Sequence, residues 1–317
     1  MVTRHRTKLN KPKFWDDKKI SFLAIILLPL TIFITINNLI LSIISKEKSK
    51  KIKTICVGNI YVGGTGKTPL TIKLYDIFKE LNYKVSTAKK FYKKHLDEQI
   101  ILKNKTNLII ASTRHKALEE AIKKKNELVI FDDGLQDDKI DYDLKFVCFN
   151  SKKWIGNGFL IPSGPLREKI SSLKKYDVVF LNGDSSNIED IKKKIYQINQ
   201  RIEIFETIYK PINLEKIDLS KKYIVFSGIG NSNSFKQTLM ENNINVIKEI
   251  IFPDHYHYKK DDIKKIKLDA KKVGANIITT EKDYVKLTEE DKKEIKYLEI
   301  SLELKRETKL IEFIKNI

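Results

Sequence analysis

Short apolar runs alternate with lysine-rich helical stretches along this chain. The runs "TICVGN", "ELVIFDD", "KFVCFN", "YDVVFLNG", "YIVFSGIGN", "VIKEIIFPD" and "GANIITTEKD" each carry a strand's length of apolar residues closed by turn-forming or acidic ones. After Pro69 the apolar positions take the spacing of an amphipathic helix. Strands alternating with helices predict an α/β chain built on parallel sheets. The pattern restarts after Lys210-Pro211, and no solenoid repeat is present. A length of 317 residues suits about two domains.

One run is of another kind. From Ile20 to Ile44, "ISFLAIILLPLTIFITINNLILSII" carries no charge, and a bilayer needs about 20 such residues. Arg4, Arg6, Lys8, Lys11, Lys13, Lys18 and Lys19 precede it, and Lys46, Lys48, Lys50, Lys51 and Lys53 follow. Positive charge on both flanks places both ends on the cytoplasmic side. Pro29 and Asn37-Asn38 interrupt the run. The reading is therefore a kinked helix or helical hairpin dipping into the cytosolic leaflet, with a single span as the alternative and a buried core helix as the bland one. The run is too long for a signal peptide and no small-residue cleavage site follows.

The stretch "TICVGNIYVGGTGKTPLTIKLYDIF" from Thr54 reads as strand, glycine-rich loop, helix. Gly63, Gly64, Thr65 and Gly66 let the backbone approach an anion at a helix N-terminus. Lys67 can reach the outer phosphates and the Thr68 hydroxyl can ligate Mg2+. Tyr61 stands where the usual G-x-x-x-x-G-K-[ST] pattern has its first glycine. Further on, Leu128 to Phe131 delivers Asp132 and Asp133 at a strand's C-terminal end, where a nucleotide site holds Mg2+ or its waters. Arg167-Glu168, after a Gly-Pro turn, is either a phosphate-facing arginine with its orienting carboxylate or a surface ion pair. In "FPDHYHY", His255 and His257 alternate faces if the segment is extended, which disfavours a shared metal. One histidine oriented by a carboxylate would serve as a general base, and a structural histidine is the alternative.

Composition narrows the partners without choosing one. A net charge of +20 and a pI near 9.5 favour anionic ligands or surfaces. The lysines are scattered, as in "KKKNE" and "DIKKKIY", with no zinc-finger spacing, aromatic RNA-binding signature or arginine stripe, so nucleic acid is not expected. Cys56 and Cys148 lie in strand-like runs and read as buried reduced thiols.

Taken in order, Phe14-Trp15, "VGNIYVGGTGKTP", "DDGLQ", "GNGFLIPSGPLRE", "FSGIGN", "FPDHYHY" and "TTEKD" span nearly the whole chain and resemble the tetraacyldisaccharide 4'-kinase (lipid A 4'-kinase) family of Gram-negative bacteria. The resemblance implies two α/β/α subdomains, a P-loop nucleoside triphosphatase-like one followed by a smaller Rossmann-like one, with nucleotide in the cleft between them. The expected division is a basic segment 1–19, a membrane-associated apolar helix or hairpin 20–45, a P-loop kinase domain 46–212 and a smaller α/β domain 213–317. It also implies transfer of the γ-phosphate of ATP to the 4'-hydroxyl of tetraacyldisaccharide 1-phosphate at the cytoplasmic face of the inner membrane. The partners are then the lipid A disaccharide precursor and an anionic membrane surface, with no obligate protein partner.

By the same resemblance Lys67 grips the β- and γ-phosphates. Asp97 and Glu98 match a Gly-Asp-Glu segment whose aspartate pairs with His255 to form the base. Asp132, Asp133 and Gln136 lie near metal and phosphate, with Thr68, Asp133 and Gln136 as the metal set. Arg167 and Glu168 stabilise transferring charge or position substrate. The family also carries a non-glycine residue where Tyr61 stands. Departures are "STAKKFYKK" from Ser86 in place of Ser-Arg-Gly-Tyr-Gly, with Phe91 or Tyr92 left to stack on the base, Leu96 for the glycine before Asp97, and Asp137 for a histidine. A membrane-associated P-loop ATPase or GTPase is the competing function, although a metal-delivery type would show a Cys- or His-rich segment. An inactive nucleotide-binding protein is a third.

Overall fold

The computed structural model describes residues 2–4, 11–17, 19–43, 47–48, 51–93, 95–137 and 139–315. Ile44 of the apolar run and the flanking Arg6, Lys8, Lys18, Lys46 and Lys50 lie outside the described residues.

The chain divides into two compact units, neither continuous in sequence. The first comprises Lys11–Phe91, Leu102–Tyr209 and the C-terminal segment from Leu302; the second comprises Tyr92–Ile101, Lys210–Ser301 and the N-terminal strand. A boundary falls between Tyr209 and Lys210, while 92–101 groups with the second unit and the residues from 302 with the first. Each displaced segment follows its contacts. Asp97 bonds His255, and Leu302, Leu304, Leu310 and Ile314 join a core with Ile55 and Phe180.

In the first unit eight strands lie in the order Ile300–Leu304, Glu203–Pro211, Val178–Asn182, Leu144–Asn150, Lys53–Gly58, Leu128–Asp132, Val85–Lys90 and Leu108–Ala111. The seven from Glu203–Pro211 onward pair in parallel. Parallel strands covered on both faces read as continuous apolar runs, and Leu128–Asp132 and Val178–Asn182 are buried throughout. Successive residues face opposite sides. Ile55, Val57 and Phe146 pack with Leu70 and Leu74 of the helix Lys67–Glu80, while Cys56, Phe131 and Phe149 pack with Ala117 and Ala121 of the helix Arg114–Lys123. Both cysteines are free and buried, and burial pushes their thiols up.

The second unit holds five parallel strands in the order Val2–Arg4, Asn245–Ile251, Lys222–Ser227, Asn276–Thr280 and Ile295–Leu298. Ile224 and Phe226 pack on Ile263 and Ile266 of the helix Lys260–Lys272, and Tyr223 and Val225 on Phe235 and Leu239 of the helix Ser232–Glu241.

The apolar run forms helices Phe22–Leu27 and Thr31–Ile43 joined by a 3-10 turn at Leu28–Leu30. Pro29 sits in that turn, where its missing N–H interrupts the helical ladder. Leu27, Leu28 and Thr31 all keep right-handed helical backbone angles, so the run is a kinked helix and does not fold back as a hairpin. Phe22–Ile40 is long and apolar enough to cross a membrane by length and composition. It is no core helix: Ala24 is buried, but Phe22 is 75% and Phe33 67% exposed. Just before it, Trp15 Nε1 donates to Pro162 O at 3.0 Å and Trp15 O accepts from Asn157 N at 2.9 Å. Asn38 Nδ2 donates to Arg167 O at 2.9 Å, fastening the helix to the "GNGFLIPSGPLRE" loop.

Candidate active site

The glycine-rich loop leaves the strand Lys53–Gly58 and ends on the helix Lys67–Glu80. Gly66 caps that helix with φ +88°, a left-handed conformation natural to glycine. A Cβ there would collide with the Tyr209 hydroxyl and the Asn182 amide. The loop is braced from beneath: Asn59 Nδ2 donates to Thr65 Oγ1 at 3.0 Å, and Asn182 Nδ2 donates to Thr65 O. Pro69 falls in the first helical turn, where an N–H has no intrahelical partner to lose. The open N–H groups of that turn form an anion cradle.

Tyr61 shows why the missing glycine does no harm. It is not among the residues with positive φ, so its backbone needs no glycine. Its ring is buried with Leu160 and Leu166, and its hydroxyl bonds Asp16 and Lys11. Burial and the neighbouring Asp16 carboxylate push the phenol up, so it acts as a neutral donor to Asp16.

Beside the loop, Thr68 Oγ1 donates to Asp132 Oδ2 at 3.0 Å. Lys89, on the adjacent strand, meets the same oxygen at 2.5 Å, and both side chains are buried. Asp132 Oδ1 is buried without a hydrogen-bond partner among the described residues. A buried carboxylate oxygen left open next to a threonine hydroxyl suits a hard divalent cation or its water. Asp133 follows with φ +62°; its Oδ1 lies 3.9 Å from Lys67 Nζ and 3.4 Å from Arg167 Nη1. Gln136 Oε1 accepts from Arg167 Nη1 at 3.2 Å, and its Nε2 donates to Glu168 Oε1 at 2.8 Å. Tyr176 OH also donates to Glu168 Oε1, at 2.9 Å. Arg167 and Glu168 are thus linked through Gln136, and Arg167 also faces Asp133. Asp137, where the resemblance implies a histidine, accepts from Arg114 Nη1 at 2.8 Å, and Arg114 also bonds Asp133 O. The altered "STAKKFYKK" segment supplies Lys89 to this network, while Phe91 is exposed.

In the second unit Asp97 and His255 meet. His255 Nδ1 lies 3.0 Å from both Asp97 oxygens, and Asp97 is 2% exposed. Burial works to raise the Asp97 carboxyl, but the His255 hydrogen bond and the Lys282 and Lys286 charges outweigh it and hold the group below the usual carboxylate range. "FPDHYHY" is not extended here: Asp254 and His255 form a turn, with His255 at φ +55°. That turn is set by His255 N donating to Gly228 O at 3.1 Å, which brings "FSGIGN" under the histidine. Lys282 of "TTEKD" reaches His255 Nε2 and Glu98 Oε1, each at 3.3 Å. His95, Glu98 and His255 bring potential metal-ligand atoms within 4.8 Å of one another, but the Lys282 ammonium already supplies the positive charge there.

With this geometry in view, the family profile of the tetraacyldisaccharide-1-P 4'-kinases matches residues 22–317. The chain belongs to the tetraacyldisaccharide 4'-kinase family. It is 48% identical over 309 residues to the tetraacyldisaccharide 4'-kinase of Pelagibacter ubique (strain HTCC1062), covering 96% of each chain. It is 34% identical over 297 residues to that of Rickettsia bellii (strain OSU 85-389), covering 88% of this chain and 90% of the relative. The fold matches the crystal structure of the Aquifex aeolicus family member in complex with ATP, with a TM-score of 0.69 and 23% identity over 93% of this chain and 99% of that one. The protein is therefore an ATP-dependent kinase of lipid A synthesis, and hydrolysis without lipid phosphorylation is not favoured.

Lys89, Asn59, Asn182 and Lys282 are site residues that motif reading passed over. Lys282 and Asn59 had a signal in their places in "TTEKD" and "VGNIYVGGTGKTP", and Lys89 in its place on a buried strand.

Proposed function

We propose that the Lys67 loop binds Mg-ATP and that Asp97 and His255 take the proton from the 4'-hydroxyl of tetraacyldisaccharide 1-phosphate. The observation that carries this reading is the Asp97–His255 pair, a carboxylate 3.0 Å from one imidazole nitrogen. Asp97 accepts from Nδ1–H and leaves the lone pair on Nε2. Nε2 then takes the hydroxyl proton as the oxygen–phosphorus bond forms and the bond to ADP breaks. Asp97 stabilises the resulting imidazolium. On the ATP side, the loop amides and Lys67 bind the phosphates, while Arg167, steadied by Gln136 and Asp133, offsets charge on the transferring group. Thr68, Asp132 and Asp133 are the residues that would hold Mg2+, which would supply positive charge against the phosphates. Gln136 is committed to Arg167 and Glu168 and orients them, so we assign it no metal bond.

The same reading places the enzyme on the cytoplasmic face of the inner membrane. The exposed apolar helix and its basic flanks support it, because each well-placed Lys or Arg adds about 1 kcal/mol of attraction to an anionic surface.

The test is transfer of γ-labelled phosphate from Mg-ATP to tetraacyldisaccharide 1-phosphate in detergent micelles, with free phosphate counted alongside. Labelled lipid is expected, and His255→Ala should lower its formation by ~10²–10⁴ with ATP affinity little changed. Free phosphate without labelled lipid would overturn the kinase reading, and an unimpaired His255→Ala enzyme would remove the histidine from proton transfer.

A further inference from the structure

Three carboxylates crowd the imidazole of His255. Asp97 faces Nδ1 at 3.0 Å, and Glu98 and Asp254 each lie 3.8 Å from Nε2. Carboxylates alone would draw the ring into an ion pair as imidazolium. An imidazolium has no lone pair and accepts no proton.

The opposing charge comes from Lys282. Its ammonium lies 3.3 Å from His255 Nε2, 3.3 Å from Glu98 Oε1, 3.4 Å from Asp254 Oδ1 and 3.9 Å from Asp97 Oδ2. An ammonium only donates, so the contact with Nε2 uses that nitrogen's lone pair and leaves the ring proton on Nδ1, facing Asp97. Among the described residues, Lys286, 4.0 Å from Asp97, and His95, its ring 4.2 Å from that of His255, also face the pair.

The short helix Glu281–Tyr284 holds Lys282 in place through Asp283, which is fully buried. Asp283 accepts from Gly228 N at 2.9 Å, Thr280 Oγ1 at 2.7 Å and Tyr258 OH at 2.8 Å. The same carboxylate thus ties "TTEKD" to the glycine turn that sets the His255 backbone.

We propose that Lys282 is a positioning residue of the Asp97–His255 pair, holding the imidazole neutral with its lone pair on Nε2 until the acceptor hydroxyl takes the ammonium's place. This rests on the proton-transfer reading of that pair. As the hydroxyl arrives, the ammonium keeps its three protons and turns to Glu98 and Asp254. The hydroxyl proton passes to Nε2, the oxygen bonds phosphorus, and the electron pair of the broken bond leaves with ADP.

The experiment compares Lys282→Met, Lys282→Gln and Lys282→Arg in the full chain, by pH profiles of lipid phosphorylation and by histidine-ring 15N NMR. Lys282→Met and Lys282→Gln should lower kcat by ~10–100-fold at neutral pH with KM for ATP little changed, and should move the acid limb of the kcat profile up by about one pH unit. The ring nitrogens of His255 should show imidazolium at a pH where the unmodified enzyme shows one protonated and one bare nitrogen. Lys282→Arg keeps the charge and should keep both the limb and the spectrum. An unmoved acid limb and an unchanged ring spectrum in folded Lys282→Met or Lys282→Gln, whatever the turnover, overturn the proposal. If His255→Ala retains full activity, the proton-transfer reading has failed instead; if His255→Ala is inactive and the limb stays put, Lys282 alone is rejected.

Discussion

A lysine in the middle of a sheet is costly, and the Lys89–Asp132 contact shows how the fold accommodates one. Removing each charge from water costs several kcal/mol, which is recovered only by close pairing. Here the ion pair is 2.5 Å long, with side chains 3% and 0% exposed, and Thr68 adds a hydrogen bond to the same carboxylate. Truncating one partner strands the other. Lys89→Met should therefore lower stability by about 3–5 kcal/mol, read as a shift of the urea midpoint, and Lys89→Met with Asp132→Asn should recover part of the loss. A Lys89→Met protein with the unmodified midpoint would show that the pair contributes nothing. "STAKKFYKK" hid this residue because motif reading looked there for a tyrosine and glycines. The usable signal was physical: Val85 to Lys89 is buried on a strand flanked on both sides, and a lysine there must have a partner. Asp97 and His255 are different. They stand 158 positions apart, and nothing in the local pattern of either segment links them; only the family resemblance paired them.

Whole elements were more readable than single partners. Strands such as Leu128–Asp132 and Val178–Asn182 announce themselves because a parallel strand covered on both faces is apolar throughout. The phosphate loop was equally plain, since its glycines and the following helix are local in sequence. The N-terminal helix was legible in existence but not in shape, because hydropathy does not register whether a proline bends a helix or ends it. The structure resolves that point with a 3-10 turn at Leu28–Leu30. Its outward residues lead to a prediction for this element alone. Leu23 and Phe33 are 57% and 67% exposed, and burying each in lipid is worth about 1.5–3 kcal/mol. Leu23→Glu with Phe33→Glu should reduce co-sedimentation with phosphatidylglycerol vesicles by at least ~10-fold, without changing ATP binding. Undiminished sedimentation would mean that the basic flanks hold the protein to the membrane without the helix.

At the scale of the molecule, chain order and compact unit part company. Composition and restart points indicated two α/β parts, but a linear reading divides the chain by position, whereas the core divides it by contact. The residues from Leu302 onward return to the phosphate-loop unit: Arg306 Nη2 donates to Ile204 O at 3.0 Å, and Glu307 pairs with Lys73 at 2.8 Å on the helix that starts at the loop. Lys73 and Glu307 are both partly exposed, and surface ion pairs of this kind contribute about 0–1 kcal/mol. The apolar side chains dominate. Leu302, Leu304, Leu310 and Ile314 are 2%, 9%, 0% and 5% exposed; at about 1.5–3 kcal/mol each they contribute ~6–12 kcal/mol. That is comparable with the whole stability of an ordinary domain, ~5–15 kcal/mol. A chain ending at Ser301 should therefore lose ATP binding and become trypsin-sensitive around Lys67, although the deletion lies more than 200 residues from the loop. A milder pair of substitutions separates lost packing from a chain that simply fails to express. Leu310→Ala with Ile314→Ala keeps the backbone and should cost ~4–10 kcal/mol, lowering Tm in proportion and raising the ATP Kd only where the unit begins to unfold. If the shortened chain binds ATP as tightly as the full one and melts at the same temperature, the C-terminal segment is not part of the kinase core.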